Sequence, residues 1–308
     1  MKFARTLSTT LLLALAAPCY ANLDADLTIA ADNYCTEKKP KDLASVNALL
    51  KKGANPHKIN STGMTAVDVA AYRRCPQLLE ILLENPKLKI DDIGSFGMSP
   101  FLFTLANYKD SPDDKRMVDL YLKAGVNVNQ FDPTQTQTPL MLVSGMNLTP
   151  PRPEVIAKLL KAGANAKLKT PNGYTPLNTG TLDLQSLQLL INAGADATAA
   201  STIDGITPLH VVCQRDNDSS EKPDPQAAAR VKLLMDHGAN INALRIDTKE
   251  SVLMQNIKFG NVDCVDALFK AGANPALKNI AGKTVKDAIK TQGIYSPEMI
   301  QVIKRNLK

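Results

Sequence analysis

A glycine follows a leucine-rich run six times in this chain. The runs read "LLKKGAN" (Gly53), "YLKAGVN" (Gly125), "LLKAGAN" (Gly163), "LINAGAD" (Gly194), "LMDHGAN" (Gly238) and "LFKAGAN" (Gly272). Between the first two, "LLENPKL" at 82–88 holds the missing place. The spacings between successive glycines are 72 (two periods), 38, 31, 44 and 34 residues. Self-similarity at a period of ~33 with insertions points to a solenoid.

A second signal keeps step with the first. It reads "TGMTAVDVAA", "FGMSPFLFTLA", "TQTQTPLMLV", "NGYTPLNTG", "DGITPLHVVC" and "AGKTVKDAI", with "SVLMQNI" at 251–257 in the same slot. Each part has a mechanical reason. Glycine after an apolar run accepts the left-handed conformation that ends a helix. Asn or Asp two residues on starts a turn. Thr or Ser caps the next helix, and Pro sits at its first position, where a missing N–H costs nothing. One stretch therefore closes a second helix, turns through a finger and opens the next first helix. Aromatic residues are only 5% of the chain and Trp is absent, so the core is expected to be Leu, Ile, Val and Ala in helices packed on helices.

On these motifs the chain resembles the ankyrin-repeat family. "DGITPLHVV" at 204–212 and "LLMDHGANINA" at 233–243 lie close to that family's pattern. About eight units fit over 24–308. The resemblance implies an all-α solenoid of helix-turn-helix units with β-hairpin-like fingers. Within a single domain at 22–308, residues 22–57 read as an N-terminal cap repeat, 58–278 as internal repeats and 279–308 as a C-terminal cap. Enlarged loops between paired helices are expected at "TEKKPKD", "YKDSPDDK", "MNLTPPRPE" and "RDNDSSEKPDPQ".

The first 21 residues do not belong to this pattern. "MKFARTLSTTLLLALAAPCYA" carries Lys2 and Arg5, a short apolar stretch and a small-x-small ending. It reads as a secretory signal peptide cleaved after Ala21, and its apolar stretch is too short to span a bilayer. The expectation is an exported, periplasmic protein. A lipid anchor at Cys19 is the other reading, with Pro18 against it. Without these residues, 34 basic face 30 acidic residues, a net charge of +4. The charges are dispersed, so no nucleic-acid-binding block is present.

Four cysteines remain: Cys35, Cys75, Cys213 and Cys264. An even count in an exported chain invites disulfides, and spacings of 40 and 51 residues match no metal-site pattern. Cys35–Cys75 is the better candidate, because loops flank both. Stacked equivalent positions sit farther apart than the ~5.5 Å that disulfide geometry prefers, and Cys213 reads as a buried apolar residue.

The search for chemistry returns little. His57, His210 and His237 fall in separate units. In the ankyrin family the His of Thr-Pro-Leu-His braces neighbouring loops, which implies that role for His210. "DNDSSE" at 216–221 begins like a calcium loop but has Glu221 where Gly is needed and Ala227 where an acid is needed. No phosphate-binding loop or nucleophile elbow is present. The expectation is no enzyme, no cofactor, no metal and no membrane span.

What stands out is the residue before each Thr or Ser start: Met64, Met98, Gln137, Tyr174, Ile206, Glu250 and Lys283. The resemblance implies that this column faces a concave groove. A second column after each first helix adds Tyr72, Arg73, Tyr108, Gln214, Arg215, Lys258 and Phe259. Aromatic and Arg side chains are typical interface anchors. The resemblance implies binding to another protein; a full set of repeats with caps at both ends predicts a chain that is monomeric when free. The partner is either a periplasm-acting effector enzyme that the chain neutralises as an immunity or inhibitor protein, or a resident enzyme, such as one of oxidative-stress defence, that it scaffolds or protects.

Overall fold

The computed structural model describes residues 23–60, 63–134, 136–145, 152–180, 183–214, 223–288, 290 and 295–307. The signal-peptide expectation, the 216–221 stretch and Arg215 lie outside them.

The described residues form helices in pairs. The first helices are α1 (Leu23–Glu37), α3 (Ala66–Arg73), α5 (Pro100–Ala106), α7 (Pro139–Ser144), α10 (Pro208–Val211), α12 (Val252–Lys258) and α14 (Val285–Ala288). Their partners are α2 (Pro40–Lys51), α4 (Pro76–Leu83), α6 (Pro112–Lys123), α8 (Pro153–Lys161), α11 (Ala227–Asp236), α13 (Val262–Lys270) and α15 (Pro297–Asn306). Between α8 and α10 lies α9 (Leu184–Asn192), a second helix whose expected first helix is replaced by turns at 176–180. Gly180 and the β-branched Thr179 are poor helix formers, and Asn178 spends its side chain on the cap of Thr175, accepting from its N–H at 2.6 Å.

The starts work as the sequence indicates. Thr65, Ser99, Ser111, Thr138 and Ser251 each accept the backbone N–H three residues on. At the stops, Gly163 has φ +93°, a conformation that other residues rarely adopt. Its N–H donates to Leu160 and the next one, of Ala164, to Leu159, which ends α8.

Like helices stack on like. α1 packs on α3, α3 on α5 and α5 on α7, and α10 packs on α12. On the other layer α4 packs on α6, α8 on α9, α9 on α11, α11 on α13 and α13 on α15. One apolar core runs through both layers, from Leu27 and Ala31 in α1 to Val302 and Ile303 in α15. It is aliphatic, with Phe101 against Tyr121 as its main ring pair (5.2 Å).

Three sequence expectations change. First, the fingers are turns and not hairpins: the described residues contain no strand, only an isolated bridge between Leu244 and Ser251. Each finger spans too few residues for a ladder. Second, "TEKKPKD" is no enlarged loop, because α1 runs through Glu37 and only Lys38 and Lys39 separate it from α2. Third, Cys213 is not merely a buried apolar residue: a second disulfide forms beside the expected Cys35–Cys75 pair. Cys35 is bonded to Cys75, with Cα atoms 5.8 Å apart, and Cys213 to Cys264, at 5.5 Å. Neither pair occupies equivalent stacked positions. Cys35 lies inside α1 while Cys75 precedes α4, and Cys213 follows α10 while Cys264 lies in α13.

No helix of the described residues is long and apolar enough to cross a membrane.

Candidate functional site

Each finger is closed by the same bond. The carbonyl of the residue before the Thr or Ser start accepts an N–H from the finger's opening: Asn60 to Met64, Gly94 to Met98, Asp132 to Gln137, Thr170 to Tyr174, Ser201 to Ile206, Arg245 to Glu250 and Asn279 to Lys283, all at 2.9 to 3.0 Å. The backbone of this column does the structural work. Its side chains are free to vary, which is why Met, Gln, Tyr, Ile, Glu and Lys all occur there.

Three columns converge beside the fingers. Counting from each Thr or Ser start, the side chains at −1, +4 and +7 or +8 lie on one face, as helix spacing requires. Around the middle of the chain they enclose a cavity of about 460 Å³. Gln137, Tyr174 and Ile206 come from the first column; Leu142, Thr179, Val211 and Gln255 from the second; Gly145, Gln214 and Phe259 from the third. Among the described residues, no charged side chain lines it. Amides and apolar groups side by side suit an extended, uncharged stretch of polypeptide. The +4 column was legible in the sequence, because every start marks it, and sequence reasoning missed it.

Tyr174 is held in place across the units. Its hydroxyl donates to Asp204 Oδ2 at 2.6 Å. Burial, then this bond, pushes the phenol above its ordinary range. Partial burial works against the Asp204 carboxylate, yet the hydroxyls of Ser201 and Tyr174 and the Arg245 charge hold it below the usual range. Asn178 donates from Nδ2 to the Ile206 carbonyl (3.2 Å), so the finger that carries Ile206 is tied to the preceding unit.

The other expected residues divide. Tyr72 and Arg73 are exposed at the end of α3. Arg73 pairs with Asp32 (2.8 Å) and lies 5.4 Å from the Tyr72 ring centre. Tyr72 stacks on Phe96 (6.0 Å), and Phe96 on Phe103 (4.1 Å). Phe96 and Phe103 were not anticipated, although Phe103 stands at +4 from Ser99. Met64 and Met98 are half-buried at this same end of the chain, away from the central cavity. Lys258 is exposed but ion-paired to Glu250 (2.6 Å), and both line a second, smaller cavity of about 150 Å³.

Tyr108 is a correction. It was expected in the groove and is instead buried, 3% exposed. Helix α5 ends at Ala106, so Tyr108 turns toward the loop before α6. The Arg152 guanidinium lies 4.6 Å from its ring centre and donates to its carbonyl. Burial raises its phenol pKa. It braces two units and presents nothing to a partner.

The histidines are spread out. His57 Nε2 accepts the Lys89 N–H at 2.7 Å, joining adjacent units. His210 is fully buried and its Nδ1 accepts the Thr207 N–H at 3.1 Å. The His237 ring bonds the Leu233 carbonyl at the end of α11. Among the described residues no group of three or more His, Cys, Asp or Glu is placed to hold a metal ion.

Comparison with known proteins finds ankyrin repeats in part of the chain. A family model described as ankyrin repeats, three copies, matches residues 178–279. The chain is 34% identical over 102 residues to BRCA1-associated RING domain protein 1 of Caenorhabditis elegans, covering 33% of this chain and 12% of that protein. It is 23% identical over 257 residues to the putative palmitoyltransferase ZDHHC13 of Danio rerio, covering 82% of this chain and 36% of that one. The chain thus spans about a third or less of the length of these relatives. Among solved structures, the ankyrin repeat domain of Bcl-3 aligns over 91% of this chain and 98% of that one, at 19% identity and a TM-score of 0.42. The match at 178–279 falls on the turns, caps and stops described above, and the same finger and helix pair recurs on both sides of it; residues 178–279 match the ankyrin-repeat family.

Proposed function

We propose that this chain is a non-enzymatic binding protein whose groove face holds another protein in an exported, periplasmic setting. Ankyrin repeats form protein–protein interaction domains, and that much follows from the family. The observation that supports the groove is the uncharged cavity of about 460 Å³ in which Tyr174, Ile206, Gln214 and Phe259 meet. Most large exposed apolar side chains also lie on the finger and groove side, among them Tyr72, Ile93 and Phe96. Exposed apolar groups gathered on one face mark interaction sites. The two disulfides support an oxidising compartment, and so does the signal-like N-terminus. A partner in that compartment is either an effector enzyme that this chain neutralises or a resident enzyme that it protects.

The test is affinity purification from periplasmic extract with the wild type and an Ile206→Ala/Phe259→Ala variant, with melting temperature measured alongside. Loss of a specific partner at an unchanged melt supports the groove. Hot-spot truncation costs ~2 kcal/mol or more, roughly thirtyfold in affinity. Equal recovery by both proteins rejects the groove reading.

A further inference from the structure

The last three fingers differ from the two before them at their tips. Their two tip residues, which follow the closing N–H donor, are Thr202 and Ile203, Ile246 and Asp247, and Ile280 and Ala281. In the two preceding fingers the same places hold Pro133 and Thr134, then Pro171 and Asn172. A finger therefore closes without an isoleucine at its tip. Yet Ile203, Ile246 and Ile280 stand 56%, 52% and 73% exposed, with Leu244 beside them at 40%.

These isoleucines form one ridge. The Ile246 N–H donates to the Asp204 carbonyl and the Ile280 N–H to the Thr248 carbonyl, both at 2.8 Å. Gly205 lets the fingers come this close: a Cβ there would stand 2.9 Å from Ile246 N and from its side chain. The tips are thus set one against the next by backbone bonds, which separates them from scattered exposed apolar residues that need no explanation.

The charges around the ridge are one-sided. Every carboxylate in these fingers is engaged. Asp247 is held by Arg245 (2.7 Å), Glu250 by Lys258 (2.6 Å), and Asp204 by the Tyr174 hydroxyl (2.6 Å). Lys249, Lys278 and Lys283 are exposed and form no ion pair among the described residues. An apolar line flanked by three available ammonium groups complements a surface that alternates apolar side chains with carboxylates.

We infer that the tips of the last three fingers dock an acidic, amphipathic segment of a partner protein, its apolar side chains on Ile203, Ile246 and Ile280 and its carboxylates on Lys249, Lys278 and Lys283. This extends the protein-binding reading to a second surface with a stated partner chemistry. An anionic membrane would also offer apolar and acidic groups. The tips carry no aromatic residue, the type that membrane interfaces favour. The protein partner is therefore the reading the tips support.

The experiment uses the full, oxidised chain and a library of random peptides displayed on phage. Enriched peptides are synthesised and their affinities measured by fluorescence anisotropy. The expected result is a motif that mixes Asp or Glu with Leu, Ile or Phe and weakens with salt. Affinity falls roughly tenfold or more in Ile203→Ser/Ile246→Ser/Ile280→Ser. It falls similarly in Lys249→Gln/Lys278→Gln/Lys283→Gln, which disturbs no packing and so keeps the test valid if the isoleucine variant folds poorly. The groove variant Ile206→Ala/Phe259→Ala leaves this affinity unchanged, so failure of the groove and failure of the ridge are told apart. Enrichment without acidic residues, no enrichment, or affinities indifferent to both triple variants overturns the inference. Co-sedimentation with phosphatidylcholine–phosphatidylserine vesicles that is lost in the same variants overturns it in favour of a membrane.

Discussion

The third residue of several first helices serves two units at once. Asp68 accepts the Thr65 N–H (3.0 Å) and also the Ser95 N–H and hydroxyl of the next finger (3.1 and 2.6 Å). Asn178 and His210 stand at the same spacing from their own starts, Thr175 and Thr207. His210 has its pKa lowered to about 4, first by burial, against about 6.5 in an unfolded chain. The unfolded chain thus binds the proton first. The stability from neutral His210 is complete above about pH 6.5 and is lost as pH falls toward about 4, an effect on the order of 3 kcal/mol. His57 shifts the same way, so the comparison must be with a variant. His210→Asn, which copies Asn178, should flatten the fall in melting temperature between those pH values; an unchanged profile would show that His210 does not drive it. Tyr108→Ala should cost ~3 kcal/mol or more, as for other large buried rings, and leave partner binding intact. Lost binding at an unchanged melt would restore Tyr108 to the groove.

At the scale of elements, the disulfides each join two neighbouring units covalently. They close loops of 40 and 51 residues. In the chain-entropy account each stabilises by up to ~4 kcal/mol. Thiol counting on denatured protein purified without reductant should find both pairs closed, and reduction should lower the denaturation midpoint. A second clamp lies where α11 begins. Asp224 accepts from Arg230 (3.1 and 2.6 Å) and from Asn261 of the next unit (2.6 Å), with both charges nearly buried. Asp224→Ala leaves the guanidinium uncompensated and should destabilise by ~3–5 kcal/mol; a loss below ~1 kcal/mol in chemical denaturation would mean that water reaches Arg230.

At the scale of the whole molecule, each unit touches its neighbours and little else, so the chain should be elongated. Small-angle scattering should give a radius of gyration well above the ~19 Å of a compact chain of this length; a value near that figure, or a dimer, would reject the extended monomer. The fold itself was legible early. Thr-Pro starts and Gly stops act through φ preferences and local bonds, and these depend on a few adjacent residues. Tyr174, Ile206, Gln214 and Phe259 were legible as members of columns, because a helix places fixed spacings on one face.

What the sequence by itself determined is therefore everything local: the period, the caps, the stops and the aliphatic core. Only the tertiary structure decided which columns meet. Tyr108 went to the loop side because α5 stops at Ala106. Cys213 met Cys264 because a helix end faces a different helix of the next unit. Leu142, Thr179, Val211 and Gln255 became one wall only when four units stacked. The isoleucine tips became a ridge only through bonds between fingers, such as Ile246 to Asp204. Contacts between units depend on rotation and spacing from one repeat to the next, and no short stretch of sequence carries that information.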